Sequence, residues 1–402
     1  MTKLLFVTYG AGHAQSVLPV VEKMKANYDV VVLALTTASK VFDGDGYDVI
    51  SYESLAWLAD DKYKEYGAEL VSSSGASVSV GVVESIAYHG ISYLELLEEH
   101  GGGAAGMYSR LGRQAFFPVK FMEKVLNYIE PDVVVATSSP RSERAVLQAA
   151  SNLHVKSICI VDLFALQEKE WVAQPNYASR VCVLNASVRS LLVAEGRNES
   201  DIIVTGNPAF DKLQSNELIA SARKYKDREL PQGKNVLFWA SQPEPEVHPF
   251  TQESGGDPNL PLAIEQKLVE FVESRHDWVL VIRLHPSENR YVSYKSTKVF
   301  ISPSDEKMTD VLFSCNCLVT IASTVALEAH LIGKPVITID KSIFTDDAPF
   351  SKMGVSKGVK DLSILAQAIE ELTSKVSNDD EGPGELNATR KVIEVIEGLI
   401  VQ

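Results

Sequence analysis

The sequence predicts an α/β protein of two doubly wound, Rossmann-like domains, each a parallel sheet with helices on both faces. Three observations carry this. The chain has 402 residues, and at roughly 100–200 residues per domain that length holds two. Short β-branched runs alternate with amphipathic stretches along most of it, and strands buried on both faces read as continuous apolar runs. Between two such series lies a polar, charged segment, QSNELIASARKYKDRELPQGK, beginning at Gln214 and carrying Pro231 and Gly233 near its end.

The first series reads KLLFVTY, YDVVVLAL, DVVVAT, VKSICIVDL, RVCVLN and DIIVTG, with SVLPVVEKMKAN and SERAVLQAASNLH as helices between them. The second opens with NVLFWA and continues through WVLVIRL, KVFIS, NCLVTI and PVITID. The change falls within 212–234, so the expected domains are 1–215 and 216–380. Beyond a loop, SNDDEGPGE, a final helix within 381–402 presents Val392, Ile393, Val395, Ile396 and Leu399 as an apolar stripe. One of the two domains must cover that stripe.

Composition narrows the function. Hydrophobic residues make up 45% and charged residues 23%, as in ordinary globular proteins. A net charge of -15 opposes nucleic-acid binding, which needs clustered Lys and Arg to displace counterions. The densest basic run, Arg223 to Arg228, includes an aspartate and reads as a solvated helix or linker. Cys159, Cys182, Cys315 and Cys317 stand in apolar contexts, and the C-x-C spacing of the last two suits neither a zinc site nor a redox pair. They are expected to be reduced core thiols of a cytoplasmic protein. The N-terminus reads as a first strand rather than a signal peptide, and no apolar run reaches the ~18–20 residues that span a bilayer, so any membrane association is expected to be peripheral.

In open α/β sheets ligands bind beyond the carboxyl ends of the strands, and four strand ends stand out. In YGAGHAQSVLP, Gly10 and Gly12 let the backbone turn tightly and offer amides at a helix start to an anion or a sugar hydroxyl. A dinucleotide fingerprint would need glycine where Gln15 stands and an acid after the second strand, so NAD is not expected. His13 follows, either as a helix-entry residue or as a general base. In RLHPSEN, Pro286 fixes the backbone leaving the sheet and aims His285, for a structural turn or for a phosphate or ribose contact. Ser323 and Thr324 open a helix, where a hydroxyl caps the backbone and the same end attracts an anion. Glu328 lies one turn on, on the side of Thr324, so phosphate at the helix mouth and ribose below it would satisfy both. In WASQPEPEV, Ser241 and Gln242 either touch the nucleotide or belong to a plain loop, with Glu244 and Glu246 as further acids.

With G-x-G-H near the start, DIIVTGNPAFDKL closing the first half and STVALEAHLIGKPVI in the second, the chain resembles nucleotide-sugar enzymes of the GT-B architecture, whose two domains flank a deep cleft. VTGNPAFDKL and LEAHLIGKPVI are similar in layout to the non-hydrolysing UDP-N-acetylglucosamine 2-epimerases. YGAGH, VATSSP and ASQPE stand where that family carries G-T-R-P-E, H-G-D-T and H-R-R-E-N. His285-Pro286 with Ser323-Thr324 resembles the HP and S/T pair with which bacterial surface-polysaccharide glycosyltransferases hold a CMP or CDP moiety. His13 to Pro19 resembles the loop that supplies the base in inverting GT-B enzymes.

The resemblance implies a glycosyltransferase of cell-surface polysaccharide synthesis, cytoplasmic or at the inner face of the membrane. Its first domain would hold a saccharide or lipid-linked acceptor near Gly10 and Gly12, with His13 as base. Asp162, at the end of SICIVDL, stands in reserve as base, nucleophile or orienting partner. Its second domain would hold a CMP- or UDP-linked donor through Ser241, Gln242, His285, Pro286, Ser323 and Thr324, with Glu328 on the ribose. An epimerase-like isomerase or hydrolase is the alternative, and a non-catalytic glycan-binding module a further one. Helix dipoles and side chains would neutralise the leaving phosphate. Asp60-Asp61, Asp346-Asp347 and Asp379-Asp380 lack a strand-end setting and Asp43-Gly44-Asp45 reads as a turn, so neither a metal nor a cofactor is expected.

Overall fold

A computed structural model describes residues 1–401 apart from 45, 75–80, 250, 252, 289 and 377–385. The SNDDEGPGE loop with its Asp379-Asp380 pair, and Asp45, lie outside the described residues. The chain forms two compact units, one of Met1–Asp211 with Asn387–Gln402, the other of Lys212–Leu386.

In the first unit, strands β1 (Lys3–Tyr9), β2 (Asp29–Leu35), β3 (Asp48–Ile50), β4 (Val133–Thr137), β5 (Lys156–Ile160), β6 (Arg180–Val183) and β7 (Ile202–Val204) form one sheet in the order β3-β2-β1-β4-β5-β6-β7. Every pairing is parallel. The direction of strand addition reverses between β1 and β4, so a crevice opens beyond their carboxyl ends.

The second unit repeats the scheme with β8 (Asn235–Ala240), β9 (Trp278–Arg283), β10 (Val299–Ile301), β11 (Cys317–Thr320), β12 (Val336–Ile339) and β13 (Lys357–Val359), in the order β10-β9-β8-β11-β12-β13. Its reversal lies between β8 and β11. All pairings are again parallel. The runs read from the sequence become the central strands and one edge of each sheet, β7 and β10, while the three-residue strands β3 and β13 add the opposite edges. The basic run from Arg223 to Arg228 lies within the helix Asn216–Glu229.

Alternation along the strands sets the cores. Leu4 and Phe6 of β1, Val133 and Val135 of β4 and Ile158 and Ile160 of β5 share one face of the first sheet, against Val17, Val20, Val21 and Met24 of the helix Gly10–Met24. In the second unit Leu237, Trp239, Leu280, Ile282, Cys317 and Val319 pack against Ile264, Leu268 and Phe271 of the helix Leu260–Glu273. All four cysteines are buried and unbridged. Among the described residues no helix is long and apolar enough to cross a membrane.

Two local features position the first unit's chemistry. The helix Gly10–Met24 springs directly from β1, so Gly10 and Gly12 form its first turn, not the loop expected from the sequence, and Pro19 is interior to it. Gly10 has φ of +74°, which a residue with a Cβ adopts only under strain. The Ala11 amide donates to Thr37 Oγ1 at 3.1 Å, which ties the turn to the end of β2.

The final helix, Ala388–Val401, packs on this first unit. Val392, Ile396 and Leu399 enter its core, and the Asp211 carboxylate accepts from the amides of Ala388 and Thr389 at 3.0 and 2.7 Å. An acid there satisfies orphan amides and complements the helix dipole.

Candidate functional site

The reversal between β1 and β4 gathers acid–base groups at one edge of the first sheet. Asp162 follows β5 and is fixed from three directions. Its Oδ1 accepts from the Leu163 amide at 2.9 Å and from the Ser138 hydroxyl at 3.4 Å, and its carbonyl accepts from Asn207 Nδ2 at 2.8 Å. Its Oδ2 faces His13 Nδ1 at 3.6 Å. Both side chains are about one-third exposed (27% for His13, 31% for Asp162), so the pair is anchored at its back and open at its front. His13 thus sits in the first turn of a helix, and Asp162 is its neighbour.

Glu143 was not among the residues singled out from the sequence. It lies in the first turn of the helix Ser142–Asn152, which follows β4, and is completely buried. Its Oε1 accepts from the Tyr9 amide at 2.8 Å and from Thr137 Oγ1 at 2.6 Å. Its Oε2 is buried without a hydrogen-bond partner. Burial raises its carboxyl above the ordinary value, opposed by the nearby His13 imidazole, the Thr137 and Ser139 hydroxyls and the Tyr9 amide. Burial also raises Glu168, with the Asp162 charge adding to the effect and His13 opposing it. Two carboxyl groups that hold protons more firmly than usual therefore flank a histidine–aspartate pair. Perturbed acids in such a setting are suited to proton transfer.

The buried carboxyl has a thermodynamic consequence. Because the folded value of Glu143 lies above the unfolded value of about 4.5, its contribution to stability is full below that pH and is lost as pH rises through the folded value. Glu143→Gln keeps an acceptor for Tyr9 and Thr137 and removes the buried charge. The variant is expected to melt above the parent protein near pH 8, with the gap closing as pH falls towards 4. Thermal scans across that range check the sign, and a lower melting point at pH 8 contradicts it.

In the second unit the neighbouring strands β9, β8 and β11 bring the remaining candidates to one edge. At about 4.8 Å per strand their ends span roughly 10 Å. Ser241 extends β8, its amide donating to the Arg283 carbonyl at 2.9 Å, and is buried. Its hydroxyl donates to Glu288 Oε1 at 3.1 Å, and Glu288 Oε2 accepts from the His285 amide at 2.9 Å. Arg290 bonds both Glu288 (3.1 Å) and the buried Glu265 (2.6 Å). Glu288 is thus the centre of the His285-Pro286 turn. The Ser287 amide donates to His285 Nδ1 at 3.2 Å, which assigns the proton of the neutral ring to Nε2. His285 and Pro286 are exposed, and Gln242 is half-buried.

Ser323 and Thr324 follow β11 as expected, with a difference in capping. Thr324 occupies the N-cap position but has helical backbone angles (φ −60°, ψ −17°) and makes no side-chain capping bond. Only Ser323 Oγ accepts, from the Val325 amide at 3.4 Å. The exposed Thr324 hydroxyl is therefore free of a capping role. Burial raises the Glu328 carboxyl and the Lys212 ammonium opposes this. Glu244 has a local task, accepting from the Ser342 hydroxyl at 2.6 Å and the Ile343 amide at 2.7 Å. Asp61 and Asp346 pair with Lys64 and Lys352 (2.7 and 2.9 Å), and Asp347 holds His248 at 2.6 Å. Among the described residues no group of three or more His, Cys, Asp or Glu side chains is arranged to hold a metal ion.

A family model described as UDP-N-acetylglucosamine 2-epimerase matches residues 110–397. Among solved structures the fold is similar to a UDP-GlcNAc 2-epimerase from Neisseria meningitidis bound to UDP-GlcNAc, with a TM-score of 0.56, 14% identity, and coverage of 99% of this chain and 100% of that one. The UDP-GlcNAc 2-epimerase from Methanocaldococcus jannaschii gives the same TM-score, identity and coverage. No curated protein matches the sequence. The architecture is the α/β, two-sheet arrangement of the GT-B class, as the sequence led one to expect.

Proposed function

Because the chain belongs to the UDP-N-acetylglucosamine 2-epimerase family, we propose that it acts on a UDP-linked 2-acetamido sugar and inverts the configuration at C2. This reading, the alternative in the sequence analysis, takes precedence over glycosyl transfer. One observation supports it most directly: His13, Asp162, Glu143 and Glu168 converge at the carboxyl edge of β1, β4 and β5. Inverting C2 requires a proton to be taken from one face and returned to the other, which is work for two acid–base groups. The C2–H has no adjacent carbonyl to acidify it. Its electron pair therefore goes into a C1–C2 double bond as the C1–O bond to the diphosphate breaks, and re-addition reverses these changes.

In this reading His13 and Asp162 act as one proton-transfer pair, the half-buried Glu168 supplies the second group, and the fully buried Glu143 sets the electrostatics behind them. The second unit holds UDP, with His285 and Thr324 donating to phosphate oxygens and Glu328 accepting from ribose hydroxyls. Glycosyl transfer uses the same nucleotide contacts and remains the second reading. It is favoured by YGAGH, VATSSP and ASQPE, which depart from the family's three loops.

Incubation with UDP-N-acetylglucosamine in deuterium oxide, without an acceptor, separates the two. The expected product is the C2 epimer carrying deuterium at C2, seen by proton NMR. Recovery of the sugar nucleotide with neither epimer nor label would exclude epimerisation. Turnover that required an added saccharide would favour transfer.

A further inference from the structure

Two arginines at the carboxyl edge of the first sheet are held by aromatic rings instead of carboxylates, and a third by a phenolic hydroxyl. The Arg141 guanidinium lies 4.7 Å from the centre of the Tyr9 ring. Arg144 lies over Phe117 and Trp171, at 4.6 and 4.8 Å. Arg113 Nη1 reaches the Tyr9 hydroxyl at 3.5 Å. Among the described residues none of the three forms an ion pair, in a chain where 53 acids outnumber 38 bases. A ring covers the face of a guanidinium and leaves its in-plane N–H donors available.

Two further observations concern Arg141 and the neighbouring Tyr88. Arg141 Nε and the Tyr88 hydroxyl are both buried without a hydrogen-bond partner, and the charges of both arginines reach that phenol. Tyr88 itself packs 6.5 Å from Tyr9, ring to ring. Arg141 also has φ of +73° and ψ of −112°, a backbone state disfavoured for any residue with a Cβ. Strain of this kind persists where surrounding structure enforces it, and it sets the direction of the side chain.

We propose that Arg113 and Arg141 form an oxyanion receptor in the first unit that grips a phosphate or a carboxylate of the substrate, with Tyr9 as their shared support. The proposal rests on the proposed function in taking the substrate to be a sugar nucleotide. The arginine expected from the family's G-T-R-P-E loop is absent from YGAGH. The pair at 113 and 141 brings guanidinium donors to the end of that same strand.

Calorimetric titration with UDP, UDP-N-acetylglucosamine and its C6-carboxylate analogue tests this on the parent protein, Arg113→Gln and Arg141→Gln. Arg113 is exposed, so its variant retains the fold even if Arg141→Gln does not. Each substitution is expected to weaken binding by about tenfold or more, the scale of one charged hydrogen bond. A loss that includes UDP identifies the anion as phosphate, and a loss confined to the carboxylate sugar identifies it as that carboxylate. Either outcome upholds the receptor. Unchanged affinities in Arg113→Gln, or a loss for the neutral sugar without a loss for UDP, overturn it. If the parent protein binds none of the three, the proposed function itself fails.

Discussion

Asp162→Asn is expected to lower turnover of UDP-N-acetylglucosamine by about 10²–10⁴-fold, the range for removing a positioned acid–base group. Asparagine retains an oxygen for the Leu163 amide and the Ser138 hydroxyl, so the loop keeps its course. It then turns an amide NH₂ towards His13 Nδ1 where a carboxylate oxygen stands at 3.6 Å. That amide cannot stabilise a protonated imidazole. The loss should fall on kcat with KM little changed, because the nucleotide contacts belong to other residues, and deuterium incorporation should fall in parallel. A variant that kept more than a third of parental turnover, with a normal melting curve, would remove Asp162 from the mechanism.

The second large effect concerns packing. The helices Tyr63–Ser74 and Val82–His100 approach so closely that a Cβ on Gly90 would overlap the Tyr63 carbonyl oxygen. A Cβ on Gly67 would overlap the Ile86 carbonyl in the same way. Each obstacle is backbone, which cannot rotate aside as a side chain tip can. Gly90→Ala is therefore expected to cost about 3 kcal/mol, the upper part of the overpacking range, and to lower the melting temperature by roughly 6–12 °C. Gly106→Ala is the control. It lies in the helix Ala104–Leu111, where an added Cβ meets nothing within 4 Å, and a compatible Gly→Ala change stabilises by ~0.4–1 kcal/mol. Equal melting points for the two variants would show that the interhelical contact is looser than described.

How much of this was legible in the sequence depends on the kind of signal. Central strands such as VVVAT and NVLFWA announce themselves because burial on both faces leaves an unbroken apolar run. The edge strands DVI and KGV are missed because Asp, Lys and Gly interrupt them, whereas the equally short edge strands IIV and VFI are wholly apolar. His13, Asp162, Ser241, His285 and Ser323-Thr324 could be named because each stands just past a recognisable strand. Glu143, Arg141 and Arg113 could not, for different reasons. The TSSPRSE segment also follows a strand, and the rule that finds ligand sites at strand ends applied to it equally. Its importance emerges once β4 is known to lie beside β1, and strand order is not written in hydrophobic periodicity. Arg113 lies far from any strand in sequence and joins Tyr9 through tertiary packing. Of the two hydroxyls that could cap the helix after β11 only Ser323 accepts a backbone amide, because a hydroxyl at a helix start signals a cap without fixing the backbone angles on which capping depends.

The helix Ala388–Val401 completes the hydrophobic layer over which the His13-bearing helix lies. During synthesis on the ribosome the intervening unit is therefore fully translated before the earlier one receives its last buried side chains. Until then part of the first unit's hydrophobic layer stays uncovered, and chaperone capture or aggregation competes with maturation during that interval.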